Sequence, residues 1–241
     1  MYFERCCNQE LDDKSQEHLL DLSDLIKLLN THIEYGLDEK FANKLLNLDG
    51  KNKVTLPSKV AISELEYSWS KFVKRIVTEP KWTQNQWDTL VNSKIKNIYK
   101  IIRNKKICYT SGWCLVRGDL ILLQRGDFVP ADIRVISCDS RLVVNNLIAT
   151  KHSLEIKSHQ STSNNFLKTE NILLANTQIV MGSCRGLILQ TGNRTVFSGL
   201  VKQAQNILYD SYASQNKNSD FQLKVEPMAD HGMLETDFLL N

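Results

Sequence analysis

Apolar residues at helical spacing mark the first fifth of the chain. From Asp12 to about Leu48 they recur every three or four positions, which is typical of helices that bury one face. Ser23 or Asp21 can cap a first helix, and Asp38 a second. The pattern predicts two short helices joined around Tyr35-Gly36. The apolar positions are Leu19, Leu22, Leu25, Ile26, Leu29, Phe41, Ala42, Leu45, Leu46 and Leu48.

Three later segments show the same periodicity and predict further helices. They run from Ser63 to Val77, from Trp87 to Arg103 and from Val196 to Ile207. The polar stretch from Lys157 to Asn165 predicts a loop, and the residues beyond Tyr209 predict a flexible tail.

Short runs rich in Val, Ile and Leu, separated by Gly, Asp and Asn, are typical of strands and dominate the chain after the fourth helical segment. Helices followed by a run of strands indicate an α+β fold. We expect a mostly antiparallel, distorted jelly-roll domain after the N-terminal helices, with one or two helices packed on it. The predicted strands are Ile107–Tyr109, Leu115–Val116, Leu120–Gln124, Asp132–Cys138, Leu142–Asn145, Ile179–Ser183 and Gly186–Thr191.

These elements divide the chain into four predicted regions. Residues 1–80 form an N-terminal helical region, and residues 81–106 a linker with a helix. Residues 107–207 form the β domain, and residues 208–241 the tail. Hydrophobic residues make up 42% of the sequence, which is enough for a substantial buried core.

The charge of the chain does not favour a nucleic-acid or membrane-surface partner. Thirty Lys and Arg residues and 27 Asp and Glu residues give a net charge of +3. Without a concentrated basic patch, this charge is too small to indicate binding to nucleic acid or to an anionic membrane. The densest basic run, from Lys94 to Lys106, carries apolar residues at helical spacing. We interpret it as the solvated face of an amphipathic helix.

Cysteine usage and hydropathy point to a cytosolic chain. The six cysteines form no Cys-x-x-Cys pair and have no histidine at metal-ligand spacing, so we expect reduced thiols and no metal. The first ten residues lack the apolar core of a secretory signal. No window approaches the ~20 consecutive apolar residues that a membrane-spanning helix needs, so the sequence predicts no transmembrane segment.

Two glycine-aspartate pairs stand out in the β region. Gly118-Asp119 and Gly126-Asp127 suit tight turns in which the glycine takes a positive φ and the aspartate bonds back to a turn amide. Together with Leu120 and with Pro130-Ala-Asp-Ile-Arg134, they resemble the core of the actuator domain of P-type cation pumps.

Collinear motifs extend this resemblance over most of residues 20–205. In their order they are similar to the alpha subunits of sodium/potassium and gastric-type proton/potassium pumps. The motifs are Leu22-Ser-Asp-Leu25, Tyr35-Gly-Leu37, Leu46-Asn-Leu-Asp-Gly50, Trp69-Ser-Lys-Phe-Val-Lys-Arg75, Thr169-Glu-Asn-Ile172, Gly186-Leu-Ile188 and Thr191-Gly-Asn-Arg-Thr-Val196.

The sequence departs from this family where the family performs its chemistry. Between Pro80 and Ser93, where the family has two membrane spans, this chain has only a dozen residues. The aspartate that accepts phosphate from ATP, in its Asp-Lys-Thr-Gly-Thr surroundings, is absent, and so is a phosphate-binding Gly-x-x-x-x-Gly-Lys-Ser/Thr loop. The family uses ATP and Mg, but we expect no cofactor and no metal in this chain.

The reactive loop of the family reads differently here. The resemblance implies a Thr-Gly-Glu-Ser loop whose glutamate deprotonates the water that hydrolyses an aspartyl phosphate. This chain has Thr150, Lys151, His152 and Ser153 instead. His152 can in principle accept a proton, but Lys151 adds bulk and charge where close approach is needed. We therefore predict no catalytic residue and regard Thr150–Ser153 as a degenerate actuator loop.

The remaining histidines, His18, His32, His159 and His231, are scattered, and we expect them at the surface. No arrangement of nucleophile, base and orienting group can be assembled from the sequence, which makes an unrelated enzyme on a β scaffold the weakest hypothesis.

Two functional hypotheses remain. In the first, the chain is a truncated, degenerate relative of the pump alpha subunit without ATPase activity, acting, if at all, by binding an intact pump; a product with no role fits equally well. In the second, it is part of a working sodium/potassium pump whose other segments are missing from the sequence, as in a gene-model fragment. The first places the chain in the cytoplasm, and assembly with a pump places it at the cytosolic face of the plasma membrane. The sequence favours no nucleic-acid partner.

Overall fold

A computed structural model of the chain describes residues 16–55, 92–146 and 154–202. The helices within these ranges are α1 (Leu22–Leu28) and α2 (Glu39–Asp49), and residues 196–202 are also helical. The strands are β1 (Ile98–Arg103), β2 (Lys106–Ser111), β3 (Leu120–Gln124), β4 (Asp132–Cys138), β5 (Leu142–Asn145), β6 (Leu154–Lys157), β7 (Ile172–Leu173), β8 (Gln178–Met181) and β9 (Ser183–Gln190). The predicted helix from Ser63 to Val77 and the predicted tail lie outside the described residues.

Two short helices flank a turn at Gly36, which confirms the prediction. The carboxylate of Asp38 caps α2 by accepting a hydrogen bond from the Phe41 N–H at 3.0 Å. Gly36 has a φ of 67°, and a β-carbon there would lie 1.8 Å from the carbonyl oxygen of Ile102. The close approach of this turn to β1 therefore requires glycine.

The strands form two antiparallel sheets. The large sheet has six strands in the order β2-β1-β3-β9-β4-β7, and the small sheet has three in the order β6-β5-β8. The predicted α+β class, with N-terminal helices ahead of a mostly antiparallel β domain, is confirmed. The jelly-roll connectivity and the four-region division stay predictions.

Most predicted strands are present, and three of them, β3, β4 and β5, have the predicted bounds. Two short strands, β6 and β7, were not predicted. The strand predicted at Leu115–Val116 is wrong, because these residues follow a 3-10 turn over Gly112–Cys114 and lead into the Gly118 turn. Both side chains are buried in this irregular conformation, which explains why the pair reads as a strand.

The helix predicted from Trp87 to Arg103 is wrong over residues 98–103, which form β1. This strand pairs with β2 in full register, from Ile98 opposite Ser111 to Arg103 opposite Lys106. Asn104 and Lys105 both have positive φ, which is the two-residue turn that suits a hairpin. The basic run is therefore a β-hairpin and not a helix face; residues 87–91 lie outside the described ranges.

The central strands of the large sheet are buried on both faces, so the described residues form three layers, whereas the edge strand β2 has only exposed or half-buried residues. One face of the large sheet packs against the small sheet through Ile101, Ile121, Ile133, Val144 and Ile179, among others. The opposite face packs against α1 and the helical residues 196–202 through Leu25, Leu29, Leu120, Leu187 and Leu200, among others. Leu120, Ile121, Leu187 and Ile188 alternate between the two cores along β3 and β9, as side chains of a strand must.

Candidate functional site

The candidate loop connects β5 and β6 at one end of the small sheet. Asn145 at the end of β5 lies opposite Leu154 at the start of β6, so the two strands form a hairpin. The four predicted loop residues, Thr150, Lys151, His152 and Ser153, lie between these strands and outside the described residues. The structure therefore describes only the two strand ends that flank these residues.

A buried polar cluster holds the base of this hairpin. The Lys157 ammonium lies 2.9 Å from a carboxylate oxygen of Glu155 and donates to the carbonyl of Thr169 at 3.2 Å. The same Glu155 oxygen accepts a hydrogen bond from the Asn146 side-chain amide at 3.0 Å. Because Lys157 is buried, this bonding compensates for desolvation of its charge. The cluster ties Asn146, which follows β5, to β6, and it ties β6 to Thr169.

Sequence reasoning missed this cluster because the charged residues of β6 face the interior and its apolar residues face solvent. Its apolar residues point outward, with Leu154 57% and Ile156 64% exposed, whereas Glu155 is half-buried and Lys157 is buried. Alternation of charged and apolar residues was the available signal, but it does not say which set faces the core.

This orientation of β6 leaves an apolar surface beside the loop. Val143 lies opposite both Ile156 and Met181, so the three side chains share one face of the small sheet. Leu154 lies on the same face, and Met181 is 45% exposed. We call Val143, Leu154, Ile156 and Met181 the outer face of the small sheet.

The two glycine-aspartate turns have the predicted geometry. Gly118 and Gly126 have φ values of 88° and 95°. Each following aspartate accepts a hydrogen bond from the N–H three residues earlier: Asp119 from Val116 and Asp127 from Gln124, both at 2.9 Å. The two turns are thus copies of one local structure, and they set the ends of β3.

Comparison with known proteins identifies this domain. A family model described as the P-type ATPase actuator domain matches residues 93–205. Residues 93–205 are therefore similar to a P-type ATPase actuator domain, and we call them the actuator domain. The predicted resemblance to this family is confirmed.

Two curated relatives extend the match toward the N-terminus. The sodium/potassium-transporting ATPase subunit alpha of Hydra vulgaris is 23% identical over 79% of this chain and 23% of its own length. The alpha-3 subunit of Gallus gallus is 24% identical over 83% of this chain and 25% of its own length. This chain therefore spans about a quarter of the length of these relatives. Among solved structures, a zinc-transporting PIB-type ATPase in the E2.Pi state aligns with 55% of the chain at 14% identity and a TM-score of 0.36.

A buried ion pair lies within the actuator domain, and its arginine also contacts the N-terminal helices. Arg103 donates from Nε and Nη2 to the two carboxylate oxygens of Asp119, each at 2.7 Å. Its Nη1 also donates to Glu39 of α2 at 3.2 Å. Asp119 is fully buried, so this two-pronged pairing compensates for the loss of water around both charges.

Asp132, the aspartate of the Pro130-Ala-Asp motif, joins three segments of the domain away from the β5–β6 loop. Its fully buried carboxylate accepts hydrogen bonds from the N–H of Ala175 at 2.9 Å and from that of Val196 at 2.7 Å. These bonds tie the start of β4 to the turn before β8 and to the start of the closing helix. Burial raises the pKa of Asp132 to about 7, although both amides favour the charged form. The geometry assigns it a structural role.

We expect the stability of the domain to depend on pH through Asp132. The folded-state pKa, about 7, exceeds the unfolded value of about 3.9, so the folded state holds the proton between these values. Ionisation then destabilises the fold progressively as pH rises from about 4 to about 7. Urea unfolding measures the free energy of unfolding of the wild type and of Asp132→Asn. The difference between the two, wild type minus variant, should fall by about 2 kcal/mol between pH 5 and pH 7.5. A constant difference would mean that the two amides keep Asp132 ionised throughout.

His18 is not at the surface, contrary to the prediction. It is 3% exposed, its Nε2 lies 2.8 Å from the Asn164 carbonyl, and its ring contacts Phe166 edge-on. His32 and His159 are exposed as predicted, and His231 lies outside the described residues.

No metal site or membrane span is found in the part of the chain that the structure describes. Within residues 16–55, 92–146 and 154–202, no three His, Cys, Asp or Glu side chains converge at ligand distance. None of the helices in the same ranges has the length and hydrophobicity needed to span a bilayer.

Proposed function

We propose that this actuator domain has no hydrolytic activity of its own and acts by binding an intact P-type pump. The observation that carries the proposal is the outer face of the small sheet, which exposes Leu154, Ile156 and Met181 beside the loop. Contiguous exposed apolar side chains are typical of protein-binding surfaces. In this proposal the outer face supplies the contact area, and the loop supplies the part that reaches toward the partner.

The composition of the loop supports binding without hydrolysis. Lys151 and His152 replace residues that in the family are a glycine and the glutamate that activates water. A lysine is a strong point charge for a phosphate or a carboxylate, and it lies next to His152, which occupies the place of the glutamate. The side chain of Lys151 also prevents the close backbone approach that glycine permits.

In this proposal the partner carries the groups that perform ATP hydrolysis. Both curated relatives are sodium/potassium-transporting ATPase alpha subunits, so an alpha subunit of that kind is the proposed partner. It would contribute ATP, Mg and the phosphorylated aspartate, and the present chain would bind no cofactor. Binding would hold the chain at the cytosolic face of the plasma membrane.

The alternative is that the sequence is part of a working cation pump. The matches to the relatives favour it in one respect, because they cover about 80% of this chain and so extend beyond the actuator domain. Transcript sequencing across residues 80–87 and past residue 241 decides between the two. Membrane spans and a phosphorylated aspartate in the same reading frame would replace the binding proposal by a sodium/potassium pump.

Co-purification tests the binding proposal. The tagged full-length chain should retain a sodium/potassium pump alpha subunit, and Ile156→Ser should reduce the retained amount at least fivefold, since it removes the centre of the outer face. Ile107→Ser is the matched control, because Ile107 is 55% exposed on β2, in the other sheet. It should leave retention unchanged. Retention no greater than that on an untagged resin would refute the proposal.

A further inference from the structure

Cys138 and Cys184 face each other across the pairing of β4 and β9. They are register partners, and the N–H of Asp139 donates to the carbonyl of Ser183 at 3.0 Å. A bond between the residues just beyond a pair marks that pair as non-hydrogen-bonded, with α-carbons about 4.5 Å apart and side chains close together. That separation lies within the range of disulfides, about 4.4–6.8 Å. The backbone therefore already has the spacing that a cross-strand disulfide needs.

The two thiols lie on the same side of the sheet. Cys184 belongs to the core between the two sheets, and Cys138 packs against that core. Directly opposite residues of an antiparallel pair point to the same face. Burial first, and the neighbouring Cys138 second, raise the pKa of Cys184 to about 12. Burial also raises the pKa of Cys138, so both thiols are protonated and react slowly at neutral pH.

This register is held by contacts at the end of the pairing just beyond the two cysteines. The carboxylate of Asp139 accepts hydrogen bonds from the N–H and the hydroxyl of Ser183, at 2.7 and 3.0 Å. Gly182, just before β9, has a φ of 82°, and a β-carbon there would lie 2.6 Å from the Arg141 carbonyl. These contacts fix the ends of both strands, so neither cysteine has to leave its place for a bond to form.

We propose that Cys138 and Cys184 are a redox modification site that forms a reversible cross-strand disulfide in the presence of a peroxide. Cys138 is half-buried and Cys184 is 6% exposed, so Cys138 meets the oxidant first. The Cys138 thiol releases its proton, the thiolate attacks one oxygen of hydrogen peroxide, an S–O bond forms as the O–O bond breaks, and the leaving hydroxide takes up the proton to become water. The Cys184 sulfur then attacks the Cys138 sulfenic acid, an S–S bond forms as the S–O bond breaks, and a second water leaves. The peroxide is reduced, the two thiols are oxidised, and a dithiol reductant reverses the bond.

The bond would act on the part of the fold that carries the candidate loop. The segment between the two cysteines contains all three strands of the small sheet and the β5–β6 loop. A disulfide closing this segment restricts its unfolded conformations and tethers its two ends. The oxidised chain is therefore expected to unfold at a higher urea concentration than the reduced chain.

Peptide mapping of the full-length chain tests the site. The reduced protein is treated with hydrogen peroxide, free thiols are alkylated, and tryptic peptides are analysed by mass spectrometry before and after dithiothreitol. The expected result is one dominant cross-linked pair, containing Cys138 and Cys184, which dithiothreitol separates. Cys138→Ser and Cys184→Ser should each abolish it. Cys108→Ser, which removes a half-buried thiol whose register partner is Ile101, should leave it intact.

Two outcomes would overturn the proposal, and both can be read from the wild-type chain, so a variant that fails to fold does not obscure them. In one, cross-links are scattered among the six cysteines, as in an unfolded chain. In the other, Cys138 accumulates as sulfinic or sulfonic acid while Cys184 stays a thiol.

Discussion

Replacing Asp119 by alanine is expected to lower the free energy of unfolding by about 3 kcal/mol, because the buried guanidinium of Arg103 loses its buried partner and keeps only the exposed carboxylate of Glu39. Arg103 donates two hydrogen bonds of 2.7 Å to this carboxylate. The substitution also removes the acceptor of the Val116 N–H in the Gly118 turn. Urea unfolding followed by circular dichroism measures the loss.

An exposed ion pair provides the matched control. Lys27 and Asp24 are 3.1 Å apart on α1, with side chains 78% and 59% exposed. Asp24→Ala should change stability by less than about 1 kcal/mol, because water and salt screen such pairs. The double replacement Arg103→Met and Asp119→Leu should recover most of the loss, since it leaves no unpaired buried charge. Equal losses from Asp119→Ala and Asp24→Ala would contradict the assigned role of the buried pair.

The effect of Asp119 should extend to the N-terminal helices. Leu37 forms a bridge to Arg103, and the N–H groups of Asn104 and Lys105 donate to the carbonyls of Leu37 and Tyr35. Arg103 also contacts Glu39 of α2. These contacts join α2 and the turn before it to the β1–β2 hairpin, so loss of the ion pair weakens both the strand and its link to the helices.

The sequence predicts the centre of the fold well because turn residues separate its strands clearly. Gly126-Asp127 and Pro130 lie between β3 and β4, and strong apolar runs fill both strands. Glycine, aspartate and proline at these turn positions restrict the backbone conformation directly. β1 was assigned to a helix because its isoleucines fit helical as well as strand spacing. The Asn104-Lys105 turn distinguishes the two, but asparagine followed by lysine is a weak turn signal.

The candidate site could be predicted only in part. The collinear motifs led to the actuator domain and so to Thr150–Ser153. The cluster of Asn146, Glu155 and Lys157 was missed, because its members come together only when β5 and β6 pair. Likewise, no local pattern places Cys138 opposite Cys184, since the residues lie on strands far apart in the chain and their register depends on a bulge in β4.

The second large effect is expected from the loop itself. Exchanging the Thr-Gly-Glu-Ser of an intact sodium/potassium pump alpha subunit for Thr-Lys-His-Ser should slow hydrolysis of its aspartyl phosphate at least about a hundredfold. The exchange removes the residue that activates water, and a positioned general base contributes about 10²–10⁴ in rate. It also adds a side chain where displacement by about 1 Å is costly. A Thr-Lys-Glu-Ser exchange separates these causes, since it retains the base and tests the lysine alone.

We propose that this actuator domain carries a loop unable to hydrolyse a phosphorylated aspartate. The most direct test of this proposal is the decay rate of the phosphoenzyme in the Thr-Lys-His-Ser pump, followed after ATP is removed. The phosphoenzyme should form normally and persist at least about a hundred times longer than in the parent pump, because the glutamate that acts as general base has been removed. Decay at the parent rate would show that lysine and histidine support hydrolysis, and it would contradict the proposed inactivity of the loop.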